Sequence, residues 1–247
     1  MLGTFYIING LIIGNYSSQI ILELLKIMNI NQGTISVLDI NEIDVSYSSV
    51  YEYNHDLIET YFNDLEELQS IKIKNFIYEI NSSFELQGER IPIRIINSIH
   101  VDNTYSIEIM FEYGHLQFEE NEIIKAKKNE VIILLCKKIY CTGFFLYGFC
   151  GEEVSNISLQ AILNNEEHFP ATDAYFSKTV INDFREKELM AISDCEVNLC
   201  SSSKNLNDIN GFFVHINEII SDNTTNVKYD EWLLNLEEDI KYKFSSS

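Results

Sequence analysis

The spacing of apolar residues predicts a strand, a helix and a second strand at the start of the chain. Residues 4–9 form an apolar run that is typical of a strand, and the apolar positions within 19–28 recur at helical spacing. The next apolar run, residues 35–40, predicts the second strand. Asp56 is placed to cap a further helix that ends near Gln69.

An alternating pattern replaces the helical one from residue 71 onward. Isoleucine, phenylalanine or leucine takes alternate positions in four segments, 71–80, 84–86, 91–95 and 107–111. A period of two is typical of antiparallel strands that bury one side. Residues 87–89 include a glycine and predict a hairpin turn, and residues 101–104 predict another.

The second half of the sequence mixes helical and extended patterns. Residues 119–138 predict a long helix with acidic residues early and lysines late, which suits the helix dipole. Within it, the apolar segment 131–135 also fits a strand. The remaining predictions are a strand at 142–149, a short helix from Ser155 or Asn156 to Asn164, a helix at 174–187, strands at 190–200 and 212–216, and a closing amphipathic helix at 229–242.

Together these patterns predict an α+β fold with a mainly antiparallel central sheet, formed by residues 71–113 and flanked by helices. The 247 residues suit one domain, 1–247, or alternatively two subdomains, 1–115 and 116–247. The apolar content of 46% is ample for a core that folds without a metal or a disulfide.

The formal net charge of −21 is unevenly distributed along the chain. Residues 1–123 carry 19 acidic and 5 basic side chains, and neither Lys nor Arg occurs between Lys26 and Lys72. A field of this sign repels phosphate backbones and anionic membranes, so we expect neither nucleic acid nor a membrane as a partner. A cationic protein, by contrast, is attracted from a distance.

Tyrosines are threaded among the acidic residues of this base-free stretch. Tyrosine buries a large area at low entropic cost and is enriched at protein interfaces. The stretch 39–67 therefore predicts a docking surface for a basic partner, with a solvated acidic surface as the alternative. The candidate partner-binding residues are Asp44, Tyr47, Tyr51, Glu52, Tyr53, Asp56 and Glu59. The second candidates are Glu152, Glu153 and the surface around Trp232.

The sequence contains no recognised catalytic motif and no phosphate-binding loop. The 10 glycines are isolated, and the 5 histidines are not spaced as metal ligands. The cysteines are interpreted as buried free thiols, because their spacing is wider than that of usual zinc-ligand pairs. Gly151-Glu152-Glu153 fits a pair of carboxylate ligands or a helix start, and we favour the helix start. We therefore predict no catalytic residue, no metal and no cofactor.

Location is predicted from what the sequence lacks. The apolar start of the chain has no positive flank and no cleavage pattern, and no apolar run is as long as a membrane span. An odd number of cysteines, 5, fits a reducing compartment. We expect a cytoplasmic protein.

Three features of the sequence resemble the immunity proteins that are encoded beside bacterial polymorphic toxins. They are the acidic, tyrosine-rich stretch 39–67, the segment 147–153 (Tyr-Gly-Phe-Cys-Gly-Glu-Glu) and the tryptophan-bearing end 229–236. Such proteins bind and neutralise a toxin domain inside the producing cell, and many of these toxins are nucleases with basic clefts. The resemblance implies that this chain inhibits a cognate cationic toxin and is not an enzyme. Because it lies in the overall profile, it implies no particular site residue.

Two other functions fit the same sequence. One is a metal-dependent hydrolase with a carboxylate site, for which Asp39 at a strand end is a candidate. The other is an inhibitor from a phage or defence system that mimics the charge of a nucleic acid. A toxin gene beside this one favours the immunity protein, and bound divalent metal favours the hydrolase.

Overall fold

One ten-stranded antiparallel sheet organises the computed structural model. The structure describes residues 5–12, 18–39, 58–70, 75–100, 104–112, 122–152, 154–155, 157–192, 195–201, 209–216 and 224–245. The strands in this part of the chain are β1 (Phe5–Ile12), β2 (Gly33–Asp39), β3 (Ile58–Phe62), β4 (Asn75–Leu86), β5 (Glu89–Ile99), β6 (Tyr105–Glu112), β7 (Phe145–Glu152), β8 (Asp173–Ser177), β9 (Cys195–Ser201) and β10 (Ile209–Ile216). Their order across the sheet is β3-β2-β4-β5-β6-β1-β7-β8-β10-β9. The α+β fold class and the antiparallel sheet are confirmed.

Helices cover the sheet on both sides. Those within the described residues are α1 (Ser18–Ile27), α2 (Leu65–Ser70), α3 (Glu122–Tyr140), α4 (Leu159–Leu163), α5 (Asp183–Met190) and α6 (Thr224–Phe244). The first core lies between the sheet and α1, α2 and α3. The second core lies on the opposite side, where α4, α5 and α6 pack on β1, β7, β8 and β10. Among these helices, none is long and apolar enough to cross a membrane.

Alternating isoleucines build the first core. Ile91, Ile93 and Ile95 of β5 are buried there, while Pro92 and Arg94 take the alternate positions. Fully burying one such aliphatic side chain contributes roughly 1.5–3 kcal/mol relative to leaving it exposed. The period-two pattern in the sequence therefore indicates which side of the sheet is buried.

The closing helix α6 supplies much of the second core. Tyr229, Trp232, Leu233 and Leu236 recur at helical spacing and are all buried, as the amphipathic pattern predicts. Trp232 donates a hydrogen bond from Nε1 to the carbonyl of Arg185 at 3.0 Å, which ties α6 to α5. The polar atom of this large side chain is therefore satisfied inside the core.

Strands form over 71–113 as predicted, but the described part of this segment contains three of them and not four. Residues 71–80 and 84–86 were expected as separate strands, whereas residues 75–86 form one long strand, β4. The hairpin predicted at residues 87–89 is confirmed: Gln87 (φ 55°) and Gly88 (φ 84°) form a two-residue turn, and Leu86 pairs with Glu89. Positive φ at both central positions is typical of the turns that suit the strand twist. Residues 101–103, in the second predicted turn, lie outside the described residues.

Two helix predictions were wrong in part. In 56–69 the helix is confined to α2, because residues 58–62 pair with β2 as an edge strand. In 174–187 the first residues form β8, which pairs with both β7 and β10. The long helix at 119–138 is confirmed as α3, and its apolar segment 131–135 is not a strand.

Two predictions around the β7–α4 connection also need correction. The N-cap of α4 is Ser158, whose side chain accepts a hydrogen bond from Ala161 N, and not Ser155 or Asn156. Gly151 and Glu152 are the last two residues of β7 and do not start a helix, and Glu153 lies outside the described residues. β1 lies in the first of the two predicted subdomains and β7 in the second, and the two strands pair in one sheet. The division into one domain or two subdomains stays a prediction.

Candidate protein-binding surface

One side of strands β2–β6 has no described helix packed against it. α1 and α3 cover the opposite side of these strands, and α4, α5 and α6 pack on the other half of the sheet. The second core takes none of its described apolar side chains from β2–β6. We call this side the acidic sheet face. Its described side chains include Thr34, Ser36, Tyr61, Glu79, Asn81, Ser83, Glu85, Arg90, Pro92, Arg94, Ile96, Glu108, Met110 and Glu112.

Strand alternation places the acidic residues on this side. In β6, Ile107, Ile109 and Phe111 are buried in the first core, so Glu108 and Glu112 take the alternate positions on the acidic sheet face. Glu112 is exposed and Glu108 is partly exposed. The same argument applies to β4, where buried isoleucine, phenylalanine and leucine alternate with polar residues.

A row of residues crosses the acidic sheet face from the edge strand β3 to β6. Glu59 of β3 pairs with Ser36 of β2, and Ser36 pairs with Glu79 of β4. Glu79 pairs in turn with Ile96 of β5, which pairs with Glu108 of β6. Because neighbouring strands lie about 4.8 Å apart, the backbone positions of the three glutamates are separated by about 10 Å each. We call this the carboxylate row.

The central member of the row is held in a fixed position. Glu79 Oε2 accepts a hydrogen bond from Arg94 Nη2 at 2.7 Å, and Glu79 Oε1 accepts one from Asn81 Nδ2, also at 2.7 Å. The Glu79 side chain is 13% exposed and that of Arg94 is 39% exposed. Both carboxylate oxygens therefore have partners on neighbouring positions of the face.

Of the residues predicted to bind a partner, the structure describes the backbone of one, Glu59. Asp44, Tyr47, Tyr51, Glu52, Tyr53 and Asp56 lie outside the described residues. They belong to the connection 40–57, which joins β2 to the edge strand β3. Glu59 is in β3, and its backbone position lies in the carboxylate row. Two residues later, Tyr61 is 53% exposed and pairs with Thr34.

The second set of candidate partner-binding residues differs in exposure. Glu152 is exposed at the end of β7, and Glu153 lies outside the described residues. Trp232 is only 3% exposed and stacks on Tyr229, with ring centroids 5.9 Å apart. Trp232 is therefore a core residue and not an anchor on the surface.

Two histidines contact carboxylates that also bind backbone amides. Asp173 contacts His215 Nδ1 at 2.7 Å through Oδ2, and its Oδ1 accepts the amide of Ile216 at 2.9 Å. Glu237 contacts His168 Nδ1 at 2.8 Å and accepts the amide of Phe169 at 2.6 Å. In each case the carboxylate satisfies a backbone N–H as well as an imidazole, which is a structural arrangement.

The described residues hold no group of three or more His, Cys, Asp or Glu that is arranged to bind a metal ion. All 5 cysteines are free, as predicted. Cys136, Cys150 and Cys200 are buried, whereas Cys141 and Cys195 are partly exposed. The prediction of buried free thiols is therefore confirmed for three of the five cysteines and wrong in burial for Cys141 and Cys195.

No family model, curated protein or solved structure matches this chain in comparisons with all three. The chemistry of the surface must therefore be argued from its own residues.

The acidic sheet face was missed at the sequence level, although a signal for it exists. The alternation that marks the isoleucines of β5 and β6 also marks the residues between them, including Arg94, Glu108 and Glu112. Alternation shows that these residues share one side of their own strand. It does not show that β2, β4, β5 and β6 are neighbours, and only that order joins the glutamates into one row.

Proposed function

We propose that this chain is an immunity protein, which binds a cationic protein toxin and neutralises it in the cytoplasm of the producing cell. The carboxylate row of the acidic sheet face is the observation that carries this proposal. Intrachain hydrogen bonds hold the Glu79 carboxylate in place before the partner arrives, so this side chain loses little conformational entropy on binding.

The chemistry of the row matches that of a basic cleft. A toxin that acts on nucleic acid binds phosphates with Lys and Arg, and the same side chains form charge-assisted hydrogen bonds with carboxylates. Met110 and the exposed Tyr61 supply apolar contact area beside these charges. An inhibitor that occupies the cleft excludes the substrate by competing for the same cations.

The acidic stretch 39–67 includes the edge strand β3 and the connection that precedes it. The connection 40–57 starts after Asp39 and returns at Ile58, and the paired ends of the two strands lie at the same end of the sheet. The candidate residues 44–56 therefore belong to a segment that connects β2 to β3, the strand that carries Glu59. The net charge of −21 accelerates the encounter with a cationic partner before any contact forms.

The test is coexpression with the protein encoded by the gene adjacent to this one. In a bacterial host, we expect the neighbouring product to arrest growth and this chain to restore it. The variant Glu85→Lys/Glu112→Lys reverses two exposed charges on the acidic sheet face and should rescue growth poorly. Its control, Glu167→Lys/Glu231→Lys, changes the net charge equally on exposed residues outside this face. Equal rescue by both variants, or a neighbouring product that is harmless, contradicts the proposal.

A further inference from the structure

The C-terminal end of α3 is fixed against the edge strand β9. Lys137, in the last turn of α3, donates a hydrogen bond from Nζ to Asn198 Oδ1 on β9. The helix ends at Tyr140, and the amide of Cys141 still donates to the Lys137 carbonyl at 2.9 Å. The first residue after the helix, Cys141, is therefore held beside β9.

Cys200 lies on β9 opposite this helix end. Its backbone pairs with Gly211 of β10, and its side chain is buried in the first core, against which Cys141 also packs. The thiols of Cys141 and Cys200 share a hydrogen bond, and the backbone of Ser201 also hydrogen-bonds the Cys141 thiol. Two thiols from distant parts of the sequence are thus neighbours between a helix end and an edge strand.

The surroundings of Cys141 favour its thiolate. The hydrogen bond with Cys200 lowers the pKa of Cys141 to about 7; burial opposes this shift, and the Ser201 backbone and the Lys137 charge add to it. The same hydrogen bond, together with burial, raises the pKa of Cys200. The thiolate, and not the thiol, is the form that attacks peroxides and disulfides. The pair therefore combines a partly exposed nucleophile with a protonated neighbour.

We propose that Cys141 and Cys200 form a reversible dithiol–disulfide site whose oxidant is hydrogen peroxide. The Cys141 thiolate attacks one peroxide oxygen, the O–O bond breaks, and the departing hydroxide takes up a proton to become water. Cys141 is then a sulfenic acid. The Cys200 sulfur attacks the Cys141 sulfur, the S–O bond breaks, and the hydroxide leaves with the Cys200 proton as a second water. Two thiols are oxidised to one disulfide, and one peroxide is reduced to two waters.

The other three cysteines lie in different surroundings. Cys136 and Cys150 also share a hydrogen bond, but both are fully buried, and burial raises the pKa of Cys150. Cys195 is partly exposed at the start of β9 and packs against the second core, on the opposite side of the sheet from Cys200. Cys195 is therefore a matched control for exposure.

The experiment treats the reduced, folded wild-type chain with hydrogen peroxide at pH 7. The remaining thiols are then alkylated at acidic pH, and the digested protein is mapped by mass spectrometry. We expect a linked peptide pair that joins Cys141 to Cys200, a loss of two hydrogens from the intact mass, and full reversal by dithiothreitol. The variant Cys195→Ala should form the same disulfide at the wild-type rate.

Two further variants separate the steps. In Cys200→Ala, Cys141 should stop at the sulfenic acid, which a 1,3-diketone probe captures, and in Cys141→Ala no disulfide to Cys200 should form. Because Cys200 is buried, thermal melting accompanies these variants, while the wild-type map depends on no substitution. A wild-type chain without the linked pair after peroxide, or with Cys195 oxidised in preference to Cys141, overturns the proposal. This site does not depend on the proposed immunity function.

Discussion

Arg94 of β5 and Glu79 of β4 form an ion pair on the acidic sheet face, with Nη2 and Oε2 2.7 Å apart. The carboxylate is the more buried partner, at 13% exposure, and it also accepts a hydrogen bond from Asn81. Intrachain contacts therefore fix the middle of the carboxylate row, whereas the exposed acid Glu112 lies at the end of β6.

Replacing Glu79 should lower stability by a modest amount. Glu79→Ala removes both hydrogen bonds and leaves the Arg94 guanidinium without this carboxylate, so we expect a loss of about 1 kcal/mol in the free energy of unfolding. The exposed Glu85→Ala on the same strand should change it by less than about 0.5 kcal/mol. Urea denaturation measures both, and equal effects from the two variants would contradict the role given to Glu79.

Asn9 should contribute more to the free energy of unfolding than Glu79, because its buried side chain forms hydrogen bonds with two separate backbone segments. It is 2% exposed; its Nδ2 donates to the carbonyls of Val154 and Ser155, and its Oδ1 accepts the amide of Phe149. Asn9→Ala leaves these buried groups unsatisfied and should lower the free energy of unfolding by about 2–3 kcal/mol. The exposed helical control Asn235→Ala should be neutral or slightly stabilising. Similar denaturation midpoints for both variants would show that the Asn9 contacts are dispensable.

Glu237 and Glu238 are neighbours on α6 that differ in burial. Glu237 is 1% exposed and accepts the amide of Phe169, while the side chain of Glu238 is 72% exposed and pairs with Lys241. Glu237→Ala should lower the free energy of unfolding by about 2–3 kcal/mol, because it leaves a buried amide unpaired. Glu238→Ala should change it by less than about 0.5 kcal/mol, as expected for a surface ion pair. Emission from the single tryptophan, Trp232 in the same core, reports the unfolding.

The reactivity of Cys141 should depend on pH in a way that folding alters. Its pKa in the folded chain is about 7, below the value of about 8.5 for an unstructured cysteine. Alkylation requires the thiolate, so its rate should rise as pH increases through about 7 and then level off. At pH 7 about half of Cys141 is thiolate when folded, against roughly 3% when unfolded.

The lower nucleophilicity of a low-pKa thiolate reduces this advantage to about fourfold. Site-resolved mass spectrometry of iodoacetamide-treated protein, with and without urea, measures the two rates. A Cys141 profile with the same midpoint in both states would show that the contacts with Cys200 and Lys137 do not act on the thiol.

Local pattern predicted those elements whose burial is one-sided. α1, β5, β6 and α6 each bury one side of a helix or strand, and the period of their apolar residues records this directly. β8 is buried on both sides, with Tyr175 in the first core and Phe176 in the second. A strand that is buried on both sides has a continuous apolar run instead of an alternating pattern. Residues 174–177 therefore gave no strand signal, and 174–187 was predicted as a helix.

Long-range pairing explains the other errors. Leu57, Tyr61, Leu65 and Leu68 recur at helical spacing, but residues 58–62 form a strand because they pair with β2. The carboxylate row has the same origin, since Glu59, Glu79 and Glu108 are far apart in sequence. The acidic, base-free stretch could be identified from the sequence alone. The carboxylate row could be identified only once the order of the strands was known.

We propose that a cationic partner docks on the acidic sheet face and the acidic stretch 39–67. The most direct test is the association rate of the adjacent gene's product with this chain at two salt concentrations. Three forms are compared with the wild type: Glu85→Lys/Glu112→Lys, Glu52→Lys/Asp56→Lys/Glu59→Lys, and the control Glu167→Lys/Glu231→Lys. Thermal melting of each form confirms that it is folded.

We expect both variants of the docking surface to associate at least about tenfold more slowly than the control at low salt. Their association rates should also vary less with salt, because the steering charges have been reversed. Truncating Tyr51 or Tyr53 should instead speed dissociation, at a cost on the order of 2 kcal/mol in binding if either is a buried anchor. Wild-type association rates and salt dependence in both surface variants, with a slowed control, would contradict the account and place the partner elsewhere on the molecule.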